Sequence, residues 1–282
     1  MDIGLCTSSA AHTDLLAAST VDYIEENVQS FLAPRDGDAA GWRNRLEAAR
    51  ASGKPIRSAN CFLPSDLPCI GPVVDRTAIT AWASTAFERA SQAGIATIVF
   101  GSGASRQIPE GFDRAQARDQ FVGLLRILGP MATAQGVTLV VEPLNSSECN
   151  FINSLAAGAD VVRAANVTGV RLLADIYHML RDNEGPEAIA PVADLLAHAH
   201  IAECAKRTAP GVAGDDFLPY LRTLLAGGYR GAMSLECSWS DLTCELPRAV
   251  VELRRQVTAA SSQVAAASRQ VAAASSQVAV AR

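Results

Sequence analysis

The chain has seven cysteines but no Cys-x-x-Cys pair. Cys6, Cys61, Cys69, Cys149, Cys204, Cys237 and Cys244 are odd in number and scattered. That argues against a disulfide framework or a thiolate zinc site, and for reduced thiols in a cytoplasmic protein. Cys237, which follows Glu236 directly, reads as a small hydrophobe at a strand end, not as a nucleophile. No apolar run reaches the ~18 residues that a membrane span needs. An excess of positive charge is missing too: the formal net charge is −5, so the basic stripe of a nucleic-acid-binding surface is not expected. The start, Met1-Asp2-Ile3-Gly4-Leu5-Cys6, has neither a basic segment nor a long apolar one, and reads as a first strand, not a leader. Phosphate-loop spacings are also lacking. Gly101-Ser102-Gly103 fits neither Gly-x-x-x-x-Gly-Lys-Ser/Thr nor Gly-x-Gly-x-x-Gly, which leaves a tight turn or a substrate-contacting loop, with Arg106 adding a positive charge.

What is present is apolar material for one large core. Hydrophobic residues make up 49% of 282 and mean hydropathy is +0.14, a length that suits a single α/β barrel. The most telling stretch is Thr138-Leu139-Val140-Val141-Glu142-Pro143-Leu144-Asn145. A β-branched run carries the backbone into a glutamate, and proline then ends the ladder. A carboxylate at the exit of a buried strand is costly unless something positive meets it. Three later segments end alike: Arg171–Ala174 in Asp175, Ala197–Ala199 in His200, and Ala232–Leu235 in Glu236. Together Glu142, Asp175, His200 and Glu236 suit one divalent metal ion.

Between these segments short strands alternate with helices. Strands are expected at 3–7, within 21–31, and at 56–62 and 96–100, besides the four above. Helices are expected from about Asp14, over 43–52, from an Asp75 cap to Ala93, over 114–135 with a break near Gly129-Pro130, from an Asn153 or Ser154 cap to about Asn166, within 187–197, from an Asp215 cap through Leu225, and from Pro247 onward. Glu25 and Glu26 are expected to be solvated or to pair with an arginine at the core edge. Eight strands alternating with about eight helices predict a (β/α)₈ TIM barrel over residues 1–254, with its site at the C-terminal strand ends. Residues 255–282 are a different material, a heptad-repeat tail of Ala, Ser, Gln and Val. Val250, Val257, Val264, Val271 and Val278 recur every seven residues, with Ala260, Ala267, Ala274 and Ala281 three residues after the last four. Two readings stay open: helix-prone low complexity outside the barrel, or a coiled-coil helix that makes a homo-oligomer.

Histidine is scarce, and its placement sharpens the metal reading. Of four, His178, His198 and His200 fall in one short interval. His198 and His200 share a strand face, His200 nearer the mouth and His198 a layer lower as a hydrogen-bonded core residue. His178, three residues beyond Asp175, is expected in the exit loop, leaning over a ligand.

Glu142-Pro143-Leu144-Asn145, Ala174-Asp175-Ile176-Tyr177-His178, His198-Ala199-His200-Ile201-Ala202-Glu203 and Ser234-Leu235-Glu236 together resemble the xylose-isomerase-like TIM barrels. Within them the likeness is to the sugar phosphate isomerase/epimerase group, which includes D-tagatose and D-psicose 3-epimerases and hydroxypyruvate isomerases. It runs from the first strand to about Arg254. The resemblance implies Glu142, Asp175, His200 and Glu236 as metal ligands, with Glu142 and Glu236 also the acid/base pair. It implies Glu148 and His178 as sugar-binding residues. It also calls for an arginine after the metal histidine, where this chain has Lys206 followed by Arg207. Ser146 stands where arginine is common. The implied partner is a small-molecule sugar, and the implied cofactor is Mn²⁺, Mg²⁺ or Co²⁺, with Zn²⁺ compatible. A dehydratase acting on a cyclic polyol, using the same site, and a non-catalytic sugar-binding or assembly barrel are the alternatives.

Overall fold

A computed structural model describes the backbone of residues 1–280 and the side chains of residues 1–270. Eight strands form one closed barrel in chain order: β1 (Ile3–Cys6), β2 (Tyr23–Asn27), β3 (Ile56–Asn60), β4 (Thr97–Phe100), β5 (Thr138–Val141), β6 (Val170–Asp175), β7 (Leu196–Ile201) and β8 (Met233–Leu235). Every neighbouring pair is parallel, and β8 closes on β1 through Ile3 opposite Met233 and Leu5 opposite Leu235. Closure leaves no strand edge unpaired. The helices are α1 (Thr13–Ala18), α2 (Ala39–Arg50), α3 (Arg76–Ala93), α4 (Arg114–Ala134), α5 (Leu155–Ala165), α6 (Ile176–Arg181), α7 (Leu218–Ala226) and α8 (Leu242–Val280). The (β/α)₈ architecture is therefore as expected.

Local chemistry accounts for several boundaries. Asp75 caps α3, accepting from the Ala78 N–H at 2.9 Å, and Gly94 ends it at φ +82°, a conformation that costs glycine little. Ser154, not Asn153, caps α5. Four boundaries differ from expectation. Pro130 lies inside an unbroken α4, and Pro247 lies inside α8 instead of opening it. Residues 187–197 hold no α-helix; Pro186 and Pro191 instead sit early in short 3₁₀ turns, Pro186–Ala188 and Ala190–Leu195. Asp215 does not cap α7; its side chain accepts from the Cys204 N–H at 2.6 Å.

The outer core lies between barrel and helices and includes the rings of Phe62, Phe87, Phe100, Phe121 and Phe151. The barrel interior is separate. Val99, Val140 and Leu173 form a small apolar cluster of their own, each worth about 1.5–3 kcal/mol on full burial. On the other side Tyr23 fills the space over Gly4, where any Cβ would fall 2.2 Å from its ring.

Composition changes at residue 255, but packing does not. In α8 Val250, Leu253 and Ala260 are buried, Val257 and Val264 pack on the core, and Gln256 accepts from the Phe217 N–H at 2.8 Å. The heptad stripe thus faces the barrel as far as Val264, and residues 265–270 are exposed. The side chains of Val271, Ala274, Val278 and Ala281 lie outside the described residues.

Candidate active site

Alternation along a strand turns every second side chain inward, so β6 and β7 present Asp175 and His200 in register with each other. Glu142 and Glu236 follow β5 and β8 by one residue. One ligand atom from each of Glu142, Asp175, His200 and Glu236 lies within 4.8 Å of the others. His200 Nδ1 is 3.0 Å from Glu142 Oε1 and 3.1 Å from Glu236 Oε2. Gly101 makes room for the cluster, because a Cβ there would fall 2.1 Å from Glu142 Oε2. This loop also turns sharply: Ser102 has φ +42°, and its hydroxyl accepts from the Leu63 N–H. Arg106 is fully buried and donates to the carbonyls of Phe100 and Glu142, at 3.0 and 2.6 Å. It ties the two strand ends together and does not face the mouth.

The electrostatics divide the two glutamates. Burial pushes the Glu142 carboxyl up, and the Glu236 and Asp175 charges add to this against the pull of His200. Burial would raise Glu236 as well, but His200 and the Arg207 guanidinium outweigh it and bring it to about 2. Asp175 Oδ1 caps α6 through the Tyr177 N–H at 2.7 Å. Its other oxygen, Oδ2, is buried with no hydrogen-bond partner. With His178 Nε2 at 3.4 Å and Arg207 Nη2 at 3.7 Å as its nearest donors, a buried carboxylate oxygen without a hydrogen bond, beside two more carboxylates, is costly as it stands. It is what a cation-binding site requires, so the donor set fits a divalent ion.

Glu25 was expected in solvent or beside an arginine, and the structure overturns this. It is 1% exposed. Its Oε1 meets His200 Nε2 at 2.9 Å, and its Oε2 takes His198 Nε2 at 2.8 Å, Ser58 Oγ at 2.7 Å and Ser234 Oγ at 2.6 Å. Burial alone would raise its carboxyl, but His200 and His198 hold it well below the ordinary range. Glu26 is buried too, accepting from the Ser9 backbone N–H at 2.7 Å and from the Ser9 hydroxyl. A second possible ligand group, Cys6 with Glu25 and His200, surrounds the far side of the same imidazole. Burial, reinforced by Glu25, keeps the Cys6 thiol protonated, which makes it the poorer site.

The remaining candidates separate. Arg207 comes to the cluster: its Nε donates to the Glu236 carbonyl at 2.9 Å, its guanidinium pairs with the Glu236 carboxylate, and it stacks 4.6 Å over the Tyr177 ring. Its Nη1 is 3.9 Å from Glu148 Oε1, which brings Glu148 to the rim. Lys206 is exposed and bonds to none of these groups, so of the two basic residues it is Arg207 that joins the cluster. Both residues have left-handed backbone, φ +58° and +57°. Such strain persists only where surrounding bonds impose it. Across this turn Ser238 N donates to the Arg207 carbonyl at 2.7 Å and Thr208 N to the Ala205 carbonyl at 3.2 Å, and Glu203 ties down the residues that follow by accepting from Gly211 N and Gly214 N at 2.9 Å each, Thr208 Oγ1 at 2.9 Å and Ala213 N.

His178 is not in a loop over the mouth. It lies in α6, 4% exposed. Its Nδ1 is 2.8 Å from Asn145 Nδ2 and accepts the Asn145 backbone N–H at 3.2 Å, and its Nε2 faces Asp175 Oδ2 at 3.4 Å. Asn60, unnoticed in the sequence, donates to Glu236 Oε1 at 2.8 Å. An asparagine at a strand end carries no signal of its own.

A closed parallel (β/α)₈ barrel with three carboxylates and an imidazole gathered at its C-terminal strand ends is the frame of an enzyme, with a possible metal-binding cluster where such barrels keep their active sites. The family described as xylose isomerase-like TIM barrel matches residues 14–260, and the chain belongs to it. It is 32% identical over 113 residues to the 3-dehydro-D-guloside 4-epimerase of Escherichia coli K12, an alignment covering 40% of this chain and 43% of that protein. It is 29% identical over 119 residues to the D-psicose 3-epimerase of Ruminiclostridium cellulolyticum, covering 42% and 40%. The matched region thus spans less than half of each of these relatives. In structure it is similar to an L-ribulose 3-epimerase, with TM-score 0.76, 20% identity, and 95% of this chain and 98% of that one covered.

Proposed function

We propose that this protein is a sugar epimerase or isomerase, acting on a ketose or small hydroxy-ketone with one divalent ion and a pair of glutamates. The observation that carries this is the four ligand atoms within 4.8 Å of one another at the barrel mouth, beside an Asp175 oxygen that has no hydrogen bond. The sugar epimerases among its relatives support the same reading. Glu142, Asp175, His200 and Glu236 would hold the ion, and an oxygen-rich set with one imidazole suits Mn²⁺, Mg²⁺ or Co²⁺ and accepts Zn²⁺. Such an ion supplies a Lewis acid for the ketone oxygen and its neighbouring hydroxyl.

The residues then move protons. One glutamate of the Glu142/Glu236 pair takes the proton from the carbon beside the ketone, and the substrate becomes an enediolate. The other glutamate delivers a proton to the opposite face, which inverts that carbon; return by a single base to the adjoining carbon isomerises instead. Arg207 and Glu148 bind substrate hydroxyls at the rim. His178, already engaged by Asn145, orients Asp175.

Proton exchange in deuterium oxide tests the proposal, using a panel of ketoses with and without Mn²⁺. The expected result is ion-dependent exchange at the carbon beside the ketone for at least one sugar. Exchange with none of them, at saturating Mn²⁺, would contradict it.

A further inference from the structure

The imidazole of His200 has two nitrogens, and the barrel gives them different neighbours. Nδ1 faces Glu142 Oε1 at 3.0 Å and Glu236 Oε2 at 3.1 Å; Nε2 faces Glu25 Oε1 at 2.9 Å. Glu25 sits on β2, across the interior from β7, and nothing in the metal-ligand reading uses it. We propose that Glu25 is a positioning residue which dictates that Nδ1 of His200 is the nitrogen presented to the carboxylate cluster, by keeping a proton on Nε2. The proposal rests on the metal-site reading for its consequence, but not for its geometry.

The division of labour between the two oxygens of Glu25 carries the argument. Oε2 receives three donors, from His198 at 2.8 Å, Ser58 at 2.7 Å and Ser234 at 2.6 Å. Oε1 is bonded by His200 Nε2 at 2.9 Å. A carboxylate can only accept, so whatever faces Oε1 must donate. The Nε2 proton of His200 is thereby fixed, and Nδ1, which faces Glu142 and Glu236, is the nitrogen whose proton an ion would displace. A carboxylate on the far nitrogen also raises the basicity of the ligating one and locks the ring plane. His198 and the two serines serve the same end, because they hold Glu25 from the side away from His200.

The arrangement also foretells what an isosteric change does. In Glu25→Gln the amide oxygen belongs at the Oε2 position, where three donors converge, so the NH₂ falls opposite His200. Nε2 must then accept, which fixes the ring's one proton on Nδ1, in the place of the ion. Ser58→Ala removes one donor from Glu25 while leaving its bond to His200, and controls for packing.

The test is nitrogen NMR of isotopically labelled histidine in the metal-free proteins, with Mn²⁺ affinity measured by calorimetry on the same folded samples. The expected result is a protonated Nε2 on His200 in wild type and Ser58→Ala, and a bare Nε2 in Glu25→Gln. Mn²⁺ affinity should fall by roughly 10–100-fold in Glu25→Gln, the range for losing the partner of a ligating histidine, and by much less in Ser58→Ala, which keeps the bond from Glu25 to His200. A protonated Nε2 in Glu25→Gln, or unchanged affinity there, would overturn the proposal. If Glu25→Gln does not fold, the cadmium–nitrogen coupling of wild type decides: coupling through Nδ1 upholds it and coupling through Nε2 overturns it. A wild type that binds no ion, yet shows the nitrogen switch, upholds Glu25's role and sinks the proposed metal function instead.

Discussion

The barrel interior has two unlike halves below its mouth. On β4, β5 and β6 it is filled by Val99, Val140 and Leu173, with Ala197 packed against them. On β2, β3, β7 and β8 it is filled by Tyr23, Glu25, Ser58, His198 and Ser234, joined by hydrogen bonds, among them Tyr23 to Ser234 at 2.7 Å. The apolar half stabilises by close packing and tolerates no polar atom. The polar half contributes less net stability per group, but every bond in it has a direction. What this teaches is that the two halves carry different duties: one gives the mouth a stiff floor, and the other aims His200.

The largest effect should come from above both halves. Glu142→Gln and Glu236→Gln should each lower turnover by about 10²–10⁴-fold, the usual range for a lost general acid or base. Saturating Mn²⁺ should not restore it, because an amide cannot accept the proton. Each variant should still exchange the substrate proton from the face served by its intact partner. Deuterium incorporation from the two epimers would show this, and recovery of full epimerisation with excess Mn²⁺ would rule the pair out.

The division itself is tested by paired substitutions. Leu173→Ala should cost about 2–5 kcal/mol of stability, and His198→Ala about 1–3 kcal/mol through lost bonds to Glu25. Chemical denaturation with Mn²⁺ titration would report both. The floor reading requires ion affinity to survive Leu173→Ala; a large drop there would erase the distinction between the halves.

A smaller effect is expected at the loop that carries Arg207. Burial pushes Glu203 up, yet the N–H groups of Ala213 and Gly214, the Thr208 hydroxyl and the Gly211 N–H bring it below its ordinary value of 4.5. A carboxyl lowered in the folded state contributes stability that is fully present above its unfolded value and is lost as pH falls through the folded one. Glu203→Gln should therefore be less stable than wild type at neutral pH by about 1–3 kcal/mol. The gap should close in acid, below pH 4.5. A gap independent of pH would show that Glu203 acts by packing alone.

Least should happen at the end of the chain. Removing residues 265–282 leaves Ala260, Val257 and Gln256 on the barrel, so the melting temperature should hardly move. Removing residues from 256 also takes the Gln256 bond to Phe217 and the buried Ala260, and should lower it. Light scattering on the shorter protein addresses the oligomer reading, since a halved particle mass would favour the coiled-coil helix.

Much of this was legible in the chain. The exit of an apolar run in Glu142, Asp175, His200 or Glu236 is a local signal, and four in succession pointed to one mouth. Glu25 was not legible, because two adjacent glutamates read as a solvated face. Only barrel closure brings one of them to a histidine 175 residues away. Asn60 reaches Glu236 over a separation of 176 for the same reason. Two prolines misled, since Pro130 and Pro247 are accommodated inside helices held by tertiary packing. That Arg207 turns to Glu236 while Lys206 stays exposed depends on the path of the backbone, which spacing alone cannot supply.

If the proposed function holds, the four strand ends make one site for one divalent ion. Titration of Mn²⁺ into wild type and His200→Ala, followed by calorimetry, tests it most directly. Wild type should bind about one ion per chain, as a single-metal site requires, and His200→Ala should lose much of that affinity. Equal binding by the two proteins would contradict it.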